Sequence, residues 1–148
     1  MFKLAIVLFA KNPHLSPVKT RLEKQTSKEF ALSFYQKSLN TTISLLQNLR
    51  VDKADTSFYI AVAEEEEMKH FYWRDYNLIS QGSGGLGERL DNVYKEMINN
   101  NDAVFFFGAD SPFMNESYLS SSISVFLNSN HIYFFQTPYL KLLYYLFL

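Results

Sequence analysis

The chain has no cysteine, and this absence excludes disulfide bridges, thiolate nucleophiles and cysteine-ligated zinc sites. Histidine is also scarce. The three histidines, His14, His70 and His131, lie far apart and show no metal-ligand spacing. We therefore interpret them as structural or surface residues.

The sequence also lacks an excess of charge of either sign. Lys and Arg number 14 and Asp and Glu number 15, which gives a net charge of −1. This balance argues against a general binder of nucleic acid or of a membrane surface, so any basic binding site must be local. No segment approaches the roughly 18 apolar residues of a membrane span. The N-terminus lacks the layout of a signal peptide, and the sequence predicts a cytoplasmic protein.

What the sequence does contain is an alternation of apolar runs and amphipathic segments. The 148 residues are enough for a single domain, 1–148, with a real core. Strands are predicted at 3–10, 56–63, 78–80, 103–107 and 131–135, and helices from a capping box at 26–29 to about 50, at 88–97 and at 115–127. Such alternation predicts an α/β fold, a three-layer α/β/α arrangement with a mostly parallel sheet.

A run of four glutamates, Glu64 to Glu67, follows the second predicted strand. Acidic residues suit the positive end of a helix dipole, so the run is expected to open a short helix. We interpret it as a solvated first turn rather than a metal site.

The loop after the first predicted strand carries the cations Lys11, Lys19 and Arg21 within eleven residues. In an open α/β sheet, ligands bind at the edge where the strands end. Cations at that edge favour a phosphate-bearing ligand. A solvated loop with ordinary surface lysines explains the same pattern, and the loop alone does not separate the two interpretations.

A glycine cluster precedes the helix predicted at 88–97. Gly82, Gly84 and Gly87 satisfy the dinucleotide pattern G-x-G-x-x-G. However, the strand before them is short and late, and Glu88 at the helix start would repel a pyrophosphate. An NAD or FAD site is one interpretation, a glycine loop shaping another nucleotide pocket is a second, and a flexible turn is a third.

Asp110 lies at the carboxyl end of the most apolar predicted strand, and Ser-Pro follows it. An aspartate there can hold a divalent cation that bridges phosphate oxygens. The alternative is a structural aspartate that caps the following loop through backbone amides.

Three segments, taken together, carry a family resemblance. They are F-A-K-x-P-x-x-x-x-V-K-T-R-L at 9–22, Q-G-x-G-x-L-G-E-R-L at 81–90 and G-A-D-S-P at 108–112. In this order they resemble a bacterial glycosyltransferase-like family with a GT-A (nucleotide-diphospho-sugar transferase) fold, related to the molybdenum-cofactor guanylyltransferases. The resemblance covers about residues 3–130.

The resemblance implies a metal-dependent glycosyltransferase or nucleotidyltransferase that uses a nucleotide-activated sugar or a nucleoside triphosphate. It implies that Lys11, Lys19 and Arg21 surround the nucleotide, with Lys19 and Arg21 on its phosphates. Asp110 would bind Mg²⁺ or Mn²⁺, and Asp110 and Lys19 would be the catalytic residues. The base or ribose side would be lined by Gly82, Gly84, Gly87, Glu88 and Arg89.

The end of the chain departs from the family, whose members normally continue beyond it. We therefore interpret the sequence as C-terminally truncated. Residues 139–148 are apolar apart from Lys141. They are expected either to pack on a surface that the family's missing segment would cover or to form a homodimer. The alternative function is a non-catalytic nucleotide-binding domain that acts through self-association.

Overall fold

The first strand lies at the centre of the sheet and is apolar on both of its faces. The computed structural model describes residues 1–109 and 114–128 in full, and the backbone alone of residues 136–137, 140–141 and 143–145. The helices are α1 (Thr20–Glu23), α2 (Lys28–Asn48), α3 (Leu86–Met97) and α4 (Glu116–Leu127). The strands are β1 (Phe2–Ala10), β2 (Ala54–Val62), β3 (Leu78–Ser80), β4 (Ala103–Gly108), β5 (Gln136–Thr137), β6 (Leu140–Lys141) and β7 (Leu143–Tyr145).

Four strands form a parallel sheet. The strand order is β3-β2-β1-β4-β7, with β1 parallel to both β2 and β4, and β2 parallel to β3. The edge strand β7 is antiparallel to β4, and β5 and β6 form a separate antiparallel pair. The α/β fold with a mostly parallel sheet, predicted from the alternation of elements, is therefore confirmed.

Helices cover both faces of this sheet. Along β1, Leu4, Ile6 and Leu8 pack in one buried cluster with the apolar residues of α2 and α4. The residues between them, Ala5 and Val7, pack in a second cluster with α3. Since successive residues of a strand point to opposite faces, a strand enclosed on both sides must be apolar throughout. The result is a three-layer α/β/α arrangement.

The strands predicted at 3–10, 56–63, 78–80 and 103–107 and the three predicted helices are present in the structure, but the start of α2 differs from the prediction. The N-cap is Ser27, whose hydroxyl accepts the N–H of Phe30 at 3.1 Å. Thr26, which the predicted capping box required, donates its hydroxyl to the carbonyl of Leu22 instead. Hydrogen bonds from its own backbone N–H and from the Ser27 side chain lower the pKa of Glu29. The strand predicted at 131–135 lies outside the described residues.

The glutamate run was predicted to be solvated, and for its last member this was wrong. Residues Glu65–Lys69 form a 3-10 turn, followed by a second turn over Phe71–Trp73. Glu67 is completely buried, whereas Glu64, Glu65 and Glu66 are exposed.

The C-terminal segment contributes backbone to the edge of the sheet. Residues Leu143, Tyr144 and Tyr145 of β7 pair with Phe106, Phe105 and Val104 of β4. The side chains of this segment lie outside the described part of the structure. Among the described helices, none has the length and apolar character needed to cross a bilayer.

Candidate functional site

A cleft of about 920 Å³ opens where β1 and β4 end. The last residues of the two strands, Ala10 and Gly108, form part of its wall together with Ala109. Gln81, which follows β3, forms another part. The loop of residues 17–22 and the side chains of α2 and α3 that face it complete the lining. The cleft thus lies at the carboxyl edge of the parallel strands, where open α/β sheets bind ligands.

Three cationic residues from the segment between β1 and α2 line this cleft: Lys11, Lys19 and Arg21. Neither Lys11 nor Arg21 forms an ion pair within residues 1–109 and 114–128, where the ion pairs are Arg74–Asp75 and Lys95–Asp91. Among the described residues, no carboxylate therefore pairs with the Lys11 ammonium or the Arg21 guanidinium group.

The backbone of Lys19 adopts an unusual conformation for a residue with a side chain. Its φ of 52° and ψ of 41° lie in the left-handed region, immediately before α1. Such conformations are uncommon outside glycine and cluster at functional sites. The ammonium group of Lys19 lies 5.8 Å from the centre of the Phe34 ring, within the range of a cation–π contact.

The long helix α2 fixes the start of the loop and the end of β4. The Tyr35 hydroxyl accepts the N–H of Lys11 at 3.0 Å and donates to the carbonyl of the same residue at 3.0 Å. One turn further along, the Ser38 hydroxyl donates to the carbonyl of Ala109 at 2.7 Å. Both contacts satisfy backbone groups at strand ends, where the sheet no longer provides partners.

Gln81 ties the strand ends to the glycine loop. Its amide nitrogen donates to the carbonyl of Ala61 at 2.7 Å, and its amide oxygen accepts a guanidinium N–H of Arg89 at 3.2 Å. Arg89 also donates to the carbonyls of Gly84 at 3.0 Å and Ala63 at 3.3 Å. The polar groups of Gln81 and Arg89 thus form hydrogen bonds within the protein, beside the cleft.

The glycine loop has its own internal support. Gly82 and Gly84 adopt positive φ values of 70° and 98°, which only glycine reaches without strain. The carboxylate of Glu88 accepts the N–H of Gly85, the N-cap of α3, at 2.7 Å. The carboxylate therefore occupies a position at the helix start that a pyrophosphate would need. This geometry argues against the dinucleotide interpretation of the loop.

The buried carboxylate of Glu67 forms hydrogen bonds with the loop that carries the cations. Glu67 accepts the N–H of Asn12 at 2.9 Å, the indole N–H of Trp73 at 3.3 Å and the hydroxyl of Ser16 at 3.4 Å. Next to it, the Tyr72 ring contacts the His14 ring with centres 5.3 Å apart. Burial, and to a smaller extent the nearby Tyr76, raise the pKa of Tyr72.

The structure thus places the predicted site residues in two groups. The loop cations line the cleft, whereas Gly82, Gly84, Gly87, Glu88 and Arg89 belong to the adjoining glycine loop and the start of α3. Asp110, the predicted metal ligand, lies outside the described residues, directly after the cleft-lining Ala109. Within the described residues, no three His, Asp or Glu side chains cluster in a way that would hold a metal ion.

A comparison with protein families identifies a matching family. The family described as an uncharacterized protein conserved in bacteria (DUF2064) matches residues 45–132, which is more than half of the chain. The chain belongs to this family. The matched part contains the glycine loop and β4 but not the cationic loop. None of the curated proteins matches this DUF2064 chain.

Several solved structures share the fold of this chain. A protein from Desulfovibrio desulfuricans G20, assigned to the nucleotide-diphospho-sugar transferases, superposes with a TM-score of 0.68 at 22% identity over 82% of the DUF2064 chain and 53% of its own. CMP:2-keto-3-deoxy-manno-octonic acid synthetase, solved with CTP, gives a TM-score of 0.53 at 12% identity over 85% and 48% of the two chains.

A third structure is 4-diphosphocytidyl-2C-methyl-D-erythritol synthase from Anaerococcus prevotii DSM 20548. It gives a TM-score of 0.53 at 12% identity over 97% of the DUF2064 chain and 63% of its own. At these identities the likeness establishes the fold, which is that of the nucleotidyltransferase-like proteins. The DUF2064 chain spans about half to two thirds of the length of these structures.

Proposed function

We propose that this DUF2064 protein binds the phosphate groups of a nucleotide in the cleft and acts as a transferase on a sugar nucleotide or a nucleoside triphosphate. The observation that carries the proposal is the convergence of Lys11, Lys19 and Arg21 on one cleft at the carboxyl edge of the sheet. Arginine binds phosphate through parallel N–H donors, and lysine does so as a point charge.

The rest of the cleft suits the other parts of a nucleotide. Phe34 and Leu86 line the cleft, and these residues are 41% and 65% exposed, so the cleft offers apolar surface next to the cations. Aromatic and aliphatic surface of this kind packs against a base or a ribose. The cleft therefore combines charge for phosphates with apolar contact for a ring.

Transfer from such a donor releases a phosphate-bearing leaving group. Negative charge develops on the oxygen of that group as the bond to it breaks. Cationic donors already oriented towards that position stabilise the charge without reorganisation, and this is the role proposed for Lys19 and Arg21. The proteins with the same fold support this class of reaction, since their names describe sugar-nucleotide and cytidylyl chemistry.

The proposal includes dependence on Mg²⁺ or Mn²⁺. Carboxylate oxygens are the ligands that these hard cations prefer, and Asp110 follows a strand end that lines the cleft. In the proposed site, Asp110 would hold the ion together with oxygens of the bound phosphates. When bound, the cation would add positive charge next to the leaving group.

Self-association stays a prediction. The homodimer expected from the apolar C-terminus depends on side chains that the structure does not describe. No contact among the described residues therefore supports the alternative, a non-catalytic nucleotide-binding domain that acts through self-association.

Titration calorimetry with ATP, GTP, CTP, UTP, UDP-glucose and GDP-mannose, with and without Mn²⁺, tests the proposal. We expect at least one of these ligands to bind, and Arg21→Ala to weaken its binding by about tenfold or more, since a hydrogen bond to a charged group contributes roughly 1.5–3 kcal/mol. Lys24→Ala is the matched control, because Lys24 is exposed on the same segment but does not line the cleft.

Two results would contradict the proposal. One is a wild-type protein that binds none of these ligands. The other is an equal loss of affinity in Arg21→Ala and Lys24→Ala, which would show that the cleft is not the binding site. Release of free nucleotide or pyrophosphate in the presence of Mn²⁺ would then separate a transferase from a protein that only binds nucleotides.

A further inference from the structure

Glu67 differs from the other members of its glutamate run. It is 0% exposed, whereas Glu64, Glu65 and Glu66 are exposed. A buried carboxylate is costly unless hydrogen-bond donors surround it. Glu67 receives three donors, and together they explain why this one glutamate is tolerated in the interior.

The donors connect Glu67 to the cationic loop. One carboxylate oxygen accepts the Asn12 backbone N–H at 2.9 Å and the Trp73 indole N–H at 3.3 Å, and the other accepts the Ser16 hydroxyl at 3.4 Å. Asn12 and Ser16 are the two ends of one tight turn, since the N–H of Ser16 donates to the carbonyl of Asn12 at 3.0 Å. Glu67 therefore holds both ends of this turn.

The turn lies between the cations of the proposed phosphate site. Lys11 precedes it directly and is fixed by Tyr35. Lys19 and Arg21 follow it, Lys19 directly before and Arg21 within α1, a helix of only four residues. So short a helix adds little stability of its own. The preceding turn therefore contributes to the position of Lys19 and Arg21.

We propose that Glu67 is a positioning residue for phosphate binding. Its buried carboxylate anchors the turn of residues 12–16 and so fixes the loop that presents Lys19 and Arg21 to the cleft. Glu67 itself does not line the cleft, so its proposed role is indirect. The inference rests on the proposed phosphate-binding function of the loop.

The first test needs no ligand. Trypsin cleaves after Lys19 and Arg21, and the rate of cleavage reports how often the loop opens. We expect Glu67→Ala to raise this rate by about tenfold, because a buried backbone N–H and two further donors lose their acceptor. The Glu66→Ala variant, which changes the exposed neighbour, should be cleaved by trypsin at the wild-type rate.

The second test uses inorganic pyrophosphate as the probe. Glu67→Ala should weaken its binding by about tenfold, whereas Glu67→Gln should stay within about threefold of the wild type, because its amide oxygen can still accept from Asn12 and Trp73. Rescue by glutamine separates anchoring by hydrogen bonds from an effect of charge. If Glu67→Ala does not fold, Glu67→Asp replaces it, since aspartate keeps the charge but reaches less far.

The outcomes distinguish this inference from the proposed function. If the wild type does not bind pyrophosphate or nucleotides, the proposed function fails, and the cleavage rates still decide whether Glu67 anchors the loop. Wild-type cleavage rates in a folded Glu67→Ala or Glu67→Asp protein would overturn the anchoring. Faster cleavage with unchanged pyrophosphate binding would overturn the positioning role.

Discussion

Asp110 is the residue proposed to hold the metal ion, and its negative charge is the property to test. Asp110→Asn keeps the size of the side chain but removes the charge that a hard cation requires. We expect the variant to lose any part of nucleotide affinity that depends on Mn²⁺ and to keep its thermal midpoint. Calorimetric titrations with and without Mn²⁺ measure this directly. Asp52→Asn, a change at an exposed position, is the control. Equal Mn²⁺ dependence in wild type and Asp110→Asn would contradict the assignment.

Substitution by alanine should change the stability of the protein in opposite directions at two glycines near the start of α3, Gly84 and Gly87. Gly84 has a φ of +98°, and a Cβ there would collide with the Glu88 carboxylate. Gly84→Ala should therefore destabilise the protein, by about 1–3 kcal/mol. Gly87 lies in the first turn of α3, and a Cβ there meets nothing within 4 Å.

Gly87→Ala should accordingly stabilise the protein, by about 0.4–1 kcal/mol, because it reduces the freedom of the unfolded chain. Urea unfolding of the two variants and the wild type measures both effects. If Gly84→Ala were as stable as Gly87→Ala, the positive φ would not be a constraint of the native loop.

The sequence did not reveal the roles of residues whose hydrogen-bond partners lie far away along the chain. Glu67 looks like its three acidic neighbours in the sequence, and its donors come from residues 12, 16 and 73. No local pattern could distinguish it, because burial depends on which segments the fold brings together. Glu88, by contrast, stands three residues after the N-cap Gly85, a spacing typical of a helix-capping carboxylate.

At the scale of elements, the hydroxyl of Ser27 should contribute measurably to the stability of α2. It satisfies the Phe30 N–H, which has no partner within the helix. Ser27→Ala should cost about 1 kcal/mol of unfolding free energy, as typical for the loss of an N-cap. Ser33→Ala serves as the control, because Ser33 is exposed inside the same helix, where alanine is the better helix former.

Thermal and urea unfolding of the two serine variants give the comparison. We expect Ser33→Ala to be as stable as the wild type or slightly more stable. A loss of equal size in both variants would mean that Ser27 does not act as a cap.

Helices and strands with a strong apolar pattern were predictable because the pattern lies within one short stretch of sequence. The apolar run of β1 and the apolar spacing of α2 give their bounds within about two residues. The cap of α2 was displaced by one residue, since Thr26 and Ser27 are both good N-caps and only the tertiary structure selects one. The cleft itself followed from a topological rule: strands that run parallel bring their carboxyl ends to one edge.

At the scale of the whole molecule, the weak point is the outer edge of β4. Its residues Ala103–Phe107 are all buried, and three of them are phenylalanine. The backbone of β7 pairs with Val104, Phe105 and Phe106 on that edge. An apolar strand with an unpaired edge is a template for pairing with other chains.

Removal of residues 139–148 should therefore cause aggregation. The deletion takes away β7 and leaves the backbone N–H and C=O groups of β4 without their partners on that side. We expect the deleted protein to form soluble aggregates or to precipitate, as measured by light scattering and size-exclusion chromatography. Deletion of residues 146–148 alone is the matched control, because it leaves Leu143–Tyr145 in place. The same chromatography of the full chain tests the predicted homodimer. A 139–148 deletion that remains soluble and as stable as the full chain would show that β7 does not protect this edge.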